Sequence, residues 1–260
     1  MALLELVLLG AIAGFTIYLG LPLALAKTST RTKGVLNAFA IGILLFLLVD
    51  IMQDAMSEAE KPFLDALTGK ISFSTGLLSP LVLFAGFALG LLGLVYFESK
   101  YVKAEKVGSE KHAKRLALLI AIGIGLHNFS EGLAIGQSYA SGSITLALTL
   151  VIGFGLHNMT EGFGISAPLS NYKPTLGYLA LLGLIGGGPT FLGAIIGSFW
   201  VSPLISVLFL ALSGGAIIYV IKELLYHGKI SGEGFATMSS IVCGFMLGFV
   251  TLVLVHLWVG

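Results

Sequence analysis

The chain has 260 residues, of which 57% are hydrophobic and only 10% charged, and its mean hydropathy is +1.01. That much apolar surface has no use in a water-soluble domain and suits a helical membrane protein. The formal net charge of +1 offers no basic surface to nucleic acid, and the single cysteine, Cys243, excludes an intrachain disulfide and a cysteine-based zinc site.

Eight apolar stretches reach the roughly 20 residues needed to cross a bilayer. They lie near residues 3–25, 34–55, 75–97, 116–138, 143–167, 175–198, 203–226 and 236–258. The expectation is an all-α polytopic membrane protein, one domain of eight transmembrane helices. The first stretch ends in a signal-like Ala24-x-Ala26. It is read as a helix because it lacks a basic start, carries Glu5 and is long for a signal core.

Basic residues crowd the odd-numbered connections: Lys27, Arg31 and Lys33; Lys100, Lys103, Lys106, Lys111, Lys114 and Arg115; Lys173; then Lys222 and Lys229. Only Lys61 and Lys70 lie in an even one. The positive-inside rule then places the odd connections in the cytoplasm and both termini outside. Asp54, Glu58, Glu60 and Asp65 make the second connection an acidic external segment, which either solvates a loop or attracts cations. The 98–115 connection reads as a flexible cytoplasmic linker, with His112 a solvated loop residue.

Small-xxx-small pairs such as Gly10/Gly14, Gly86/Gly90, Gly132/Gly136, Gly193/Gly197 and Gly244/Gly248 predict close helix packing. Cys243, in an apolar run, is expected to be a small packing residue. The run Gly186-Gly187-Gly188-Pro189 is expected to loosen and kink the sixth helix, with a hinge at Gly188 and Pro189.

The chemistry concentrates in a duplicated motif. Residues 125–136 read GLHNFSEGLAIG and residues 155–166 read GLHNMTEGFGIS. Each copy contains H-N-x-x-E-G, giving His127, Asn128 and Glu131, then His157, Asn158 and Glu161. The i,i+3 and i,i+4 spacing puts each trio on one helix face. Polar groups in such apolar sequence are costly and point to function. Counting from the charge-assigned ends places both histidines near the membrane midplane on antiparallel helices. They form an inverted pair, an arrangement that recurs at transporter binding sites.

Imidazole, carboxylate and carboxamide together suit Zn²⁺, Fe²⁺ or Mn²⁺ better than Ca²⁺ or Mg²⁺. A bound dication also relieves the repulsion between two buried carboxylates. An enzyme is disfavoured because neither copy reads H-E-x-x-H and no nucleophile accompanies a base. The alternatives to a transporter are an intramembrane metal-dependent hydrolase that activates water and a membrane metal sensor.

With these residues in hand, the chain resembles the ZIP (Zrt/Irt-like) family of divalent metal transporters. The two H-N-x-x-E-G copies carry the resemblance, with SGGAIIYVIKELL at 213–225 and GFMLGF at 244–249 in support. The GufA-like branch is nearest. The resemblance implies uptake of Zn²⁺ as substrate, or of Fe²⁺, Mn²⁺ or Cd²⁺, toward the cytosol across the cell membrane. It also implies helices one, four, five and six moving as a bundle against two, three, seven and eight, within a homodimer embedded in the lipid bilayer.

His127, Glu131, His157 and Glu161 would be the primary ligands, supplemented by Asn128 and Asn158. Asp50 and Asp54, spaced i,i+4, form either a relay for incoming cations or an interfacial anchor. Glu223 and His227 are either exit ligands or, with Lys222, an interfacial charge cluster. His256 is expected to be structural.

The chain departs from the family pattern in three places. Ser130 and Thr160 stand where many relatives have proline, so the helices should stay straighter unless these hydroxyls compete for backbone carbonyls. Gly188 precedes Pro189 where two-metal relatives carry a glutamate, which argues for one strong metal site. The third connection also lacks a histidine-rich tract.

Overall fold

The computed structural model describes residues 2–27, 29–103, 105–106, 108–199, 202–227 and 234–259, and all regular structure among them is helical. Helix α1 runs Ala2–Phe15 and continues, after a break at Thr16, through Ile17–Gly20 and the 3-10 turn Leu21–Ala24. Then follow α2 (Thr30–Leu67), α3 (Phe73–Phe97, extended by the π turn Glu98–Val102), α4 (Glu110–Ala140) and α5 (Ile144–Ser166, followed by the 3-10 turn Ala167–Leu169). The last three are α6 (Leu176–Phe199), α7 (Pro203–His227) and α8 (Gly234–Val259). Eight helical spans are long and apolar enough to cross a membrane.

Local chemistry sets the ends. Ser29, Ser72 and Ser109 each accept a hydrogen bond from the backbone N–H three residues on, which satisfies one orphan donor at the starts of α2, α3 and α4. Gly69, at φ +75°, turns the chain out of α2, a conformation a side chain would oppose.

Three expectations are corrected here. The acidic segment from Asp54 to Asp65 is no loop but the last part of α2, 38 residues long. Its alanines at 55, 59 and 66 are buried one to three turns apart and give that half of the helix its own packing stripe. His112 is not a solvated loop residue: the Ser109 cap starts α4 early enough to bury it in the first turn. Cys243 is exposed on α8 rather than packed.

The helices divide into two groups. α4 packs most extensively on α6, and α1 closes against α5 and α6. α3 packs on α7, and α2 on α8, α7 and α3. The groups meet where α4 touches α7 and where α5 touches α8 and α2. The apolar core lies across that meeting surface, with Ile41 and Leu44 from α2, Ile120 and Ile124 from α4, and Ile217 and Val220 from α7. α4 is the most enclosed span, and α3 and α8 are the most exposed.

Within the groups, glycines bring backbones together. A Cβ placed on Gly132 would lie 2.2 Å from the Thr190 carbonyl oxygen, and one on Gly187 would lie 2.1 Å from that of Gly14. Helix α6 is continuous through Gly186–Pro189, so the loosening there is local. Pro189 has no N–H for the Ile185 carbonyl, and that oxygen lies against Gly125 of α4 instead.

Candidate metal centre

Both motif copies are buried, with His127, Asn128, Glu131, His157, Asn158 and Glu161 each at most 6% exposed. Four of the six converge. His127 Nε2 lies 3.1 Å from Glu131 Oε1 and 3.5 Å from Glu161 Oε1. Asn128 Nδ2 donates to Glu161 Oε2 at 3.1 Å. Two ligand atoms on one tetrahedral zinc stand about 3.3 Å apart, a spacing the histidine–carboxylate ion pairs match.

His157 is buried in the same interior as His127. However, its Nε2 meets Thr251 Oγ1 of α8 at 3.0 Å rather than a carboxylate. Among the described residues no three His, Cys, Asp or Glu side chains are placed so as to hold a metal ion together.

The asparagines reveal a shared design. Asn128 Nδ2 donates to the Gly186 carbonyl of α6 at 2.9 Å, beside the turn loosened by Pro189. Asn158 Nδ2 donates to the Ala13 carbonyl of α1 at 2.9 Å, next to the break at Thr16. Each carboxamide thus braces its motif helix on a partner of the same group, and each Oδ1 is left buried without a hydrogen bond.

The hydroxyls that replace proline do compete for backbone carbonyls. Ser130 Oγ donates to the His127 carbonyl and Thr160 Oγ1 to the His157 carbonyl, both at 2.7 Å.

Six motif residues therefore expose lone pairs in a dry interior. His127 Nδ1, Asn128 Oδ1, Glu131 Oε2, His157 Nδ1 and Asn158 Oδ1 are buried without a hydrogen-bond partner among the described residues, and Glu131 Oε1 and Glu161 Oε1 meet His127 Nε2 alone there. Such a concentration of unsatisfied polar atoms is expensive to bury.

Asp50 is half-buried on α2. Asp54, one turn further, is exposed.

Two cavities flank the centre. One of about 430 Å³ lies at the Leu67 end of α2, lined by Glu58, Asp65, Gln137 and Ser206 among others. A narrow space of about 40 Å³ shares Gln137 and Ser206 with it and reaches Phe129. There the Phe129 and Phe209 rings meet with centroids 4.7 Å apart.

The other cavity, about 270 Å³, is lined by Glu98, His112, Lys222, Glu223 and Tyr226. Lys222 pairs with Glu98 at 3.0 Å and with Glu223, so a charge cluster is built around the buried Glu223. The His227 side chain and Lys229 lie outside the described residues, as does the His256 side chain. Gly188 presents no side chain to the site.

Sequence reading passed over Ser213, Thr251, Glu98 and Gln137. Ser213 donates to the Leu126 carbonyl and meets Ser130 Oγ at 3.0 Å. The available signal was a lone hydroxyl in an apolar span, which seeks a partner on another helix.

The model of the family described as ZIP Zinc transporter matches residues 99–256, which takes in both motif copies and helices α4 to α8. No curated protein matches the chain. Eight apolar spans, a buried His–Glu–Asn centre and a family match over more than half of its length establish that the chain belongs to the ZIP zinc transporter family, whose members carry divalent metal ions across membranes.

Proposed function

We propose that the protein carries Zn²⁺, and less readily Fe²⁺, Mn²⁺ or Cd²⁺, toward the cytosol through a site built by α4 and α5. The observation that supports this most is the set of buried, unsatisfied acceptor atoms contributed by all six motif residues. Neutral imidazoles and ionised carboxylates match these metals in ligand type. Two glutamates neutralise a dication, which lowers the cost of holding it in a dry interior.

The cavity at the Leu67 end of α2 is the outer mouth and the Glu98–Glu223 cavity the inner one, with Asp50 between the outer mouth and the site. This orientation follows the positive-inside rule, which puts both termini outside in the cell membrane. The group α1, α4, α5 and α6 carries the ligands and shifts against α2, α3, α7 and α8 to open one mouth at a time. Without a carboxylate at Gly188, the centre holds one ion strongly. Because protons and metal compete for the same lone pairs, metal affinity falls as pH falls.

Purified protein in liposomes that enclose a zinc-sensitive dye tests the assignment. The Glu131→Ala/Glu161→Ala double variant is expected to lose metal-dependent flux. Unchanged flux in that variant would sink the site. Anomalous diffraction from zinc-soaked crystals would count the ions and name their ligands.

A further inference from the structure

His157 differs from His127 in one respect that the motif does not foretell. The first copy's imidazole faces carboxylates, whereas Nε2 of the second is held by Thr251, a residue of the opposite helix group. The Thr251 hydroxyl has one proton, and its partners decide where that proton goes. Thr251 Oγ1 donates to the Gly248 carbonyl one turn back at 2.7 Å. With its proton committed there, Oγ1 meets His157 Nε2 as an acceptor, and Nε2 must carry the hydrogen. The remaining ring nitrogen, Nδ1, is buried, has no hydrogen-bond partner among the described residues and keeps its lone pair. Threonine and imidazole are both under 9% exposed, so water does not compete for either.

We propose that Thr251 is the positioning residue of His157, fixing the tautomer with hydrogen on Nε2 so that Nδ1 is the nitrogen that meets the metal. A partner on the far ring nitrogen fixes the orientation of a ligating histidine and raises its basicity, and its loss costs about 10- to 100-fold in metal affinity. This inference rests on the proposed role of His157 as a ligand. It adds that the ligand is prepared from the opposite group, by a side chain that need not touch the ion.

Imidazole ¹⁵N NMR of the metal-free protein in liposomes reads the tautomer directly, and a His157→Ala sample assigns the signal. The wild type is expected to show hydrogen on Nε2. Thr251→Val, which keeps the shape and removes the hydroxyl, is expected to lose that preference and to raise the KM for zinc about 10-fold or more. Thr251→Ser is expected to restore both. Hydrogen on Nδ1 in the wild type overturns the inference without any variant. So does a Thr251→Val protein with unchanged tautomer and KM. If instead His157→Ala leaves zinc binding intact while the tautomer is as stated, the ligand role of His157 fails and the hydrogen-bond assignment survives.

Discussion

The seams inside each helix group and the seam between the groups are built from different materials. Inside, backbone meets backbone: Gly132 faces the Thr190 carbonyl, Gly187 faces Gly14, Gly90 faces the Leu212 carbonyl and Gly42 that of Ile241. Between the groups, glycines meet chiefly side-chain ends, as Gly164 meets Leu224 Cδ1 and Gly123 meets Val220 Cγ2, with the Ala216 carbonyl further off. Polar ties across that seam include Ser213 to Ser130 and the Leu126 carbonyl, Thr251 to His157, and Arg115 to the Tyr101 carbonyl. Backbone contacts through glycine have one good register, whereas side-chain ends and hydroxyls have alternatives. The contrast supports the proposal of two stiff bodies that shift against each other.

Substitutions rank by the seam they touch. The largest effect is expected within a group. Gly187→Ala places a methyl 2.1 Å from the Gly14 oxygen, and relieving that clash should cost about 3 kcal/mol or more. Thermal unfolding in detergent measures the loss, and unchanged stability would mean that the α1–α6 seam is looser than drawn. Ser213→Ala, across the groups, removes one hydroxyl tie and is expected to cost about 1 kcal/mol while changing the zinc transport rate. A variant with normal transport but strongly reduced stability would erase the distinction between the seams. The smallest effect is expected at Gly188→Ala, one residue from Gly187. Its added methyl meets only Leu184 Cδ1 at 3.4 Å, so stability should hold or rise, by at most about 1 kcal/mol from helix propensity.

The duplicated motif was legible because six polar residues stand out against apolar sequence, and the charge bias placed them together in depth. The small-residue pairs were legible because their spacing is that of a helix face. The length of α2 was not, since a charged run resembles a loop until Ala55, Ala59 and Ala66 are seen to share buried surface. The acceptors chosen by the asparagines were not legible either. Gly186 and Ala13 contribute carbonyl oxygens, which every residue possesses, and only a proline or a helix break marks which ones lie loose. Ser213 and Thr251 were visible as lone hydroxyls, but their partners lie 83 and 94 residues away in the chain.

The 38 residues of α2 extend about 57 Å at ~1.5 Å each, against a hydrocarbon core of about 30 Å. A large part of this helix therefore stands in water, and it is no loose mast. Ala55 and Ala59 are seated among Leu83 of α3 and Val207 and Ala211 of α7, so the overhang is packed against its own group. A stiff rod pivoting near mid-membrane moves most at its tip. If α2 tilts with its group, as the proposed function has it, a small tilt deep in the bilayer becomes a larger sweep of the Leu67 end, where a bound molecule would meet that leverage in reverse and slow the tilt from outside the lipid.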